Sequence, residues 1–228
     1  MNDSFKRIGK NWIVYLCLTL LLLPSIFSFI TIHKITAIEE THDWRNIEAG
    51  HSHSVALTPD GNVVAWGQNN YNQLAVPIEA KADIVSVSAG HFHSLALTST
   101  GKVVAWGDNL AGQSDVREGA NRDILAVSAG GNHSLALTSS GKVIAWGSNN
   151  YGPSTVPIEA QSDIVAISAG GWHSLALTSS GEMIAWGDND YNKLQVPDEA
   201  QGDVVKISAG SWPSLALTSS GEVFVWGN

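Results

Sequence analysis

One cysteine, Cys17, is present among 228 residues, and it lies in an apolar N-terminal stretch. A disulfide scaffold and a cysteine-ligated zinc site are therefore excluded. Charge is also scarce: 14% of residues are charged, 12 basic against 21 acidic, for a formal net charge of −9. Lys6, Arg7, Lys10 and Lys34 lie in the first 37 residues with one acid, Asp3, so everything after Ala37 carries 8 basic and 20 acidic groups, a net of −12. Such a surface repels phosphate backbones, which disfavours non-specific binding of nucleic acid. No Gly-x-Ser-x-Gly elbow, phosphate-binding loop or paired-carboxylate motif is present, so neither an enzyme nor a cofactor is expected. What the chain does have is 22 Gly, 7 Pro and 9 Trp within 44% hydrophobic content. That composition points to strands joined by many turns, in one or two globular units.

The N-terminus has an address of its own. Three basic residues precede a run from Trp12 to Ile32 that carries no charge, the pattern of an export signal. Pro24 divides the run. Trp12–Leu23 has the length of a signal-peptide apolar core, and the whole run is long enough to span a bilayer as an apolar helix. Residues 1–37 are thus read as a cleaved signal peptide or an uncleaved membrane anchor. Ile35-Thr36-Ala37 is the nearest approach to a cleavage site. Positive charge before the apolar run keeps the N-terminus cytoplasmic and delivers residues 38–228 outside, secreted or membrane-anchored.

A period of forty residues governs the remainder. Ala-Gly recurs at 49–50, 89–90, 129–130, 169–170 and 209–210, and Trp-Gly at 66–67, 106–107, 146–147, 186–187 and 226–227. Asp43, Asp83, Asp123, Asp163 and Asp203 open repeats 43–82, 83–122, 123–162, 163–202 and 203–228. In the second repeat, Asp83–Gly90 and His93–Thr98 alternate with strand periodicity, and Ser99-Thr100-Gly101 reads as a tight hairpin. Lys102–Gly107 is the third strand, so each repeat is a three-stranded antiparallel meander followed by a linker of about fifteen residues. Small residues (Ser86, Ser88, Ala96, Ala105) are expected opposite large ones (Val85, Val87, Leu95, Trp106). A sheet this small cannot bury its own apolar side. Twisted sheets stacked bulky face on small face fan around an axis, which predicts an all-β propeller of five blades.

Ala-Gly-x-x-His-Ser-Leu-Ala-Leu-Thr, then Gly-Lys-Val-x-Ala-Trp-Gly-x-Asn and Gly-Gln, resembles the repeat of the regulator-of-chromosome-condensation superfamily over residues 43–228. The short spacing looks most like its bacterial secreted branch, which includes the type II β-lactamase inhibitory protein. The resemblance implies a propeller fold and leaves the task open, because one propeller supports many functions. Related propellers usually have seven blades, so five blades imply a closed five-bladed ring or an open arc whose end blades invite self-association.

Among repeated residues, His53, His93, His133 and His173 admit two readings, a ring of metal-binding imidazoles or a once-per-blade bond to backbone. The second is favoured, because ligands must converge to about 2 Å from a metal, and no metal is expected. Trp66, Trp106, Trp146, Trp186 and Trp226 read as packing groups, and the aspartates as strand-entry residues. The serine after each histidine points to the opposite face of its strand, which denies it that neighbour as a base.

Residues that break the repeat are more informative. Phe92, Trp172 and Trp212 lie between Ala-Gly and the second strand, and Tyr71, Tyr151 and Tyr191 follow the third strand. The meander places both sets on one rim. Either they anchor a partner or they fill gaps between blades. The resemblance to the inhibitory protein, whose aromatic loops on one face engage an enzyme, carries over that location only. Three tasks are open: a non-catalytic, inhibitor-like binder of an unidentified protein such as an extracellular enzyme; a carbohydrate or cell-wall binder, with Asn70, Asn150 and Asp190 beside the rings; and an intracellular exchange-factor-like regulator. Export, acidity and the missing basic tail weigh against the third.

Overall fold

The computed structural model describes residues 46–227, which belong to one compact unit, Thr41–Asn228. The expected export segment and its apolar helix, residues 1–37, lie outside the described residues. Among the described residues, no helix is long and apolar enough to cross a membrane.

Each repeat forms one three-stranded antiparallel sheet with its second strand in the middle. The first comprises β1 (Asn46–Ala49), β2 (His53–Leu57) and β3 (Val63–Gly67), and the second β4 (Ile84–Ala89), β5 (His93–Thr98) and β6 (Val103–Gly107). The third comprises β7 (Ile124–Ala129), β8 (His133–Thr138) and β9 (Val143–Gly147), and the fourth β10 (Ile164–Ala169), β11 (His173–Thr178) and β12 (Met183–Gly187). The fifth is β13 (Val204–Ala209), β14 (Ser214–Thr218) and β15 (Val223–Trp226). The β5–β6 hairpin closes through Thr98 N–H to Lys102 O at 2.9 Å. Gly101 takes φ +76° there, a conformation that costs glycine little. Asp83, Asp123 and Asp163 also hold positive φ, near 60°, which Asp tolerates better than most residues. Their carbonyls accept from Ser99, Ser139 and Ser179 N–H, so strand entry uses their main chain.

The register corrects the expected division into a bulky and a small face. Ser94 pairs with Trp106 and Ala96 with Val104, while Leu95 pairs with Ala105 and Leu97 with Val103. Directly paired residues share a face, so the tryptophan sits on the side opposite the leucines, flanking a centre of serine and alanine. Ser88 and Ser86 join the leucine face, and Val87 joins the tryptophan face. Val85 falls at a register shift and is half exposed. Each blade therefore offers a leucine ridge on one side and, on the other, a small-residue hollow rimmed by valine and tryptophan. The ridge of one blade fills the hollow of the next: Leu95, Leu97 and Val103 pack with Ala136, Trp146, Ile124 and Ala129. Leu135, Leu137 and Val143 pack likewise with Ala176 and Trp186.

A second correction concerns the histidines. They bond to serine rather than to backbone: Nε2 of His53, His93, His133 and His173 lies 2.8–3.0 Å from Oγ of Ser94, Ser134, Ser174 and Ser214, one blade further on. Ser134, Ser174 and Ser214 donate their own O–H to the carbonyls of Gln113, Pro153 and Lys193. Those hydroxyls are committed as donors, so His93, His133 and His173 must donate from Nε2–H, and burial favours their neutral form. The divergence of adjacent side chains in a strand therefore does not keep histidine and serine apart; it turns them toward opposite neighbours, where they meet across the seam.

Among the described residues, blades pack on their chain neighbours, the first strand of each against that of the next: β1 on β4, β4 on β7, β7 on β10 and β10 on β13. Around the axis the main-chain N–H groups of His51, His91, Gly131 and Gly171 donate hydrogen bonds to the carbonyls of Gly90, Gly130, Gly170 and Gly210. In the first and fifth blades, Trp66 is 41% exposed and Val223 62%, where Trp106 and Val103 are 6% and 2% exposed. Trp66 is thus the exception among the tryptophans read as packing groups: its face meets no other described blade.

Candidate functional site

The Ala-Gly turns of all five blades line an axial cavity of about 230 Å³, with His51, His91 and Ser211 on its wall. Its lining is mostly main chain and methyl groups, which offers little for chemistry. Among the described residues no group of three or more His, Cys, Asp or Glu is placed to hold a metal. The buried His–Ser pairs have the spacing of a base and a nucleophile. Both partners of the central pairs are 0–1% exposed, and the serine proton is spent on a carbonyl, so no substrate reaches them. Burial, with repulsion from neighbouring imidazoles, holds His93 and His133 down to about 3. Burial and then the Lys193 charge hold His173 down to about 4.

The rim carries the exposed, irregular chemistry. Each linker begins with an asparagine whose Oδ1 accepts a main-chain N–H five residues on: Asn69 from Leu74, Asn109 from Ser114, Asn149 from Ser154 and Asn189 from Leu194. The loop is then tied to the next blade. Carbonyls of Gln73, Gln113, Pro153 and Lys193 accept the indole N–H of Trp106, Trp146, Trp186 and Trp226 at 2.8–2.9 Å. Fixed at both points, the loop presents its tip residue, Tyr71, Ala111, Tyr151 or Tyr191, at the seam between two blades.

There each tyrosine meets the aromatic residue of the next blade. Ring centroids are 5.1 Å apart for Tyr71–Phe92, 5.8 Å for Tyr151–Trp172 and 5.8 Å for Tyr191–Trp212. The last two are edge-to-face at 73° and 88°, a favoured aromatic geometry. Phe92 and Trp172 are half-buried, while Tyr71, Tyr151, Tyr191 and Trp212 are 40%, 67%, 65% and 48% exposed. Each pair thus spans a blade seam and leaves part of its surface open to solvent. The seam between the second and third blades has Ala111 and Asn132 in place of a ring pair, beside Leu110, which is 87% exposed. Next to the first pair, His51 lies 5.5 Å from both His91 and Phe92. Burial, then the charge of His51, lowers the His91 imidazole.

Sequence reasoning singled out all six rim aromatics but not their pairing, and it missed Lys193 and Asp188. Lys193 is fully buried, with its ammonium bonded to Asp188 and 4.9 Å from the Trp212 ring centroid. One sequence signal was available: Lys193 is a charged residue at a position that is Gln, Gln and Pro in the preceding repeats.

Comparisons with known proteins fit this architecture. The family described as "Regulator of chromosome condensation (RCC1) repeat" matches residues 44–73, 84–113, 124–152, 164–193 and 204–228, more than half of the chain. No curated protein matches. Among solved structures, human WBSCR16 superposes with a TM-score of 0.67 at 21% identity, over 83% of this chain and 63% of that one. Yeast RCC1 (Prp20), solved bound to Kap60, gives 0.68 at 25% identity, over 82% and 56%. The CRINKLY ectodomain of the Arabidopsis thaliana receptor kinase ACR4 gives 0.64 at 19% identity, over 84% and 66%. The chain thus spans less than two thirds of the length of each of these structures. Five matched repeats, each folded as one blade whose ridge fills the next, place this chain in the family of RCC1-repeat β-propellers.

Proposed function

We propose that this chain is an exported or membrane-tethered, non-catalytic binding protein that engages a protein partner, inhibitor-like, through its aromatic rim. The observation that carries the reading is the row of three Tyr–aromatic pairs on one rim, each set astride a blade seam and partly open to solvent. Rigid aromatic anchors on scaffolded loops are the usual energetic centres of protein interfaces. Backbone conformation adds support. Tyr151 and Tyr191 hold φ +70° and +62°, an uncommon state for a bulky residue. Tyr71 occupies the same repeat position without it, so the repeat does not require it. The net charge of −9 favours a basic partner through long-range steering. Export rests on the basic, then apolar, N-terminal sequence.

A carbohydrate ligand is the second reading, favoured by the exposed Asn70, Asn150 and Asp190 beside the tyrosines. An exchange-factor-like role rests on likeness to Prp20, a protein studied for its binding to Gsp1p and histones, 58% of whose length this chain covers. Cell fractionation separates that third reading from the others. For the first two, immobilised wild-type chain and the Trp172→Ala/Trp212→Ala variant are challenged with secreted proteins and with peptidoglycan. Protein captured by wild type and lost in a variant with an unchanged melting transition is the expected result. Retention by the variant overturns the rim reading, and capture of peptidoglycan alone replaces the partner class.

A further inference from the structure

Lys193 has a neutral counterpart that performs its local task. In the second blade Gln113, 1% exposed, donates from Nε2 to Asp108 Oδ2 at 2.8 Å, and its Oε1 accepts Ala111 N–H at 2.9 Å. That fastening holds the loop without burying an ion. In the fourth blade Asp188 occupies the place of Asp108 and Lys193 that of Gln113; the ammonium keeps the bond to the carboxylate but offers no acceptor for the N–H of Tyr191, and the loop stays tied through Asn189 and Trp226. A buried ion pair repays its desolvation poorly compared with a neutral pair, so loop closure alone gives no reason for the charge. The ammonium does one thing a glutamine cannot. It lies 4.9 Å from the centroid of Trp212, within the roughly 6 Å over which a cation is held by an indole face. Tyr191 stands edge-on to the same ring at 88°. Trp212 thus has a charged floor beneath it and an aromatic wall beside it, and remains 48% exposed.

We propose that the seam between the fourth and fifth blades is the anchor point of the rim, with Lys193 the positioning residue that fixes Trp212 for an apolar side chain of the partner. The inference rests on the reading of the rim as a binding surface and adds where that surface is organised and what it takes. Lys193 holds one face of the indole, so a cation on the open face would put a second positive charge on the same ring. The corner selects an aliphatic or aromatic group. At the Tyr151–Trp172 corner the matching residue is Pro153, with no charge, so that corner has no such bias.

The test uses the full chain labelled with 5-fluorotryptophan, the Trp212 and Trp172 ¹⁹F resonances being assigned by Trp→Phe substitution. Lys193→Gln, which copies the neutral fastening of Gln113 in the second blade, should shift and broaden the Trp212 resonance and raise its quenching by acrylamide several-fold. Lys193→Arg should restore both, and Trp146 and Trp186 should stay unmoved. An unchanged Trp212 in Lys193→Gln overturns the proposal, as do equal shifts at all tryptophans, which would mark Lys193 as a fold residue only. Titration with capped leucine amide and capped arginine amide reads the selectivity. Trp212 should respond to leucine over arginine by a larger ratio than Trp172 does, and an equal or reversed ratio overturns the apolar assignment. These readouts need no partner. Failure of the rim reading would show instead as partner capture that survives Trp172→Ala/Trp212→Ala.

Discussion

Acid should open the blade seams, and the amount follows from the buried histidines. His93 and His133 titrate at about 3 in the folded chain and His173 at about 4, chiefly because burial disfavours the imidazolium. His53 is shifted the same way. Once unfolded, each returns to about 6.5. Below that pH the unfolded chain binds protons that the folded chain refuses, so stability falls as pH falls and is flat above about 7. The loss continues until the folded groups themselves titrate, near 4 for His173 and near 3 for the other two. At pH 5 a histidine of pKa about 6.5 in the unfolded state and far lower in the folded state costs about 2 kcal/mol. His93 and His133 together should remove about 4 kcal/mol between pH 7 and 5, a large part of the roughly 5–15 kcal/mol typical of a folded domain. Urea unfolding followed by tryptophan fluorescence at both pH values gives the wild-type loss. The comparison is His93→Gln/His133→Gln, in which the amide N–H can still donate to Ser134 and Ser174 but nothing titrates. Carboxylate contributions cancel in the difference, and the variant should lose about 4 kcal/mol less than wild type over the same interval. Equal losses in the two proteins would refute the assignment of acid sensitivity to the seams.

Three further outcomes are expected. Trp106→Ala should cost about 3–5 kcal/mol as a large-to-small change in a closed seam. Trp66→Ala, at a site 41% exposed rather than 6%, should cost well under half as much in the same urea titration. Ser134→Ala removes both the acceptor for His93 Nε2–H and a donor to the Gln113 carbonyl, so it should cost about 1–3 kcal/mol for the stranded buried polar group. Its loss should exceed that of Ser54→Ala, where no histidine of a described blade stands opposite. Gln73 Nε2 has no hydrogen-bond partner among the described residues, and Gln68 stands where the second blade has Asp108. Gln68→Asp should therefore raise stability by about 1 kcal/mol, read as a higher urea midpoint at unchanged slope.

Blade number, strand order and the location of the six rim aromatics were legible in the sequence, because a repeat of constant length states its own period and a meander leaves few choices for which loops share a rim. Alternation along His93–Thr98 likewise put Leu95 and Leu97 on one face of their strand. Which face Trp106 occupies was not legible, because it depends on the register between strands, and a shift of one residue reverses every side chain. Nor was the bond of His53 to Ser94: the pair is 41 residues apart and exists only because one blade stacks on the next. The same stacking decides that Tyr191 of one blade reaches Trp212 of the following one. It also decides that a lysine in a linker comes to rest, fully buried, beneath that ring. Local pattern determined each blade, since strand and turn chemistry act within a few residues. The seams, where the histidine latches, aromatic pairs and buried ion pair all lie, were decided only by tertiary packing, which brings together residues that no local periodicity relates.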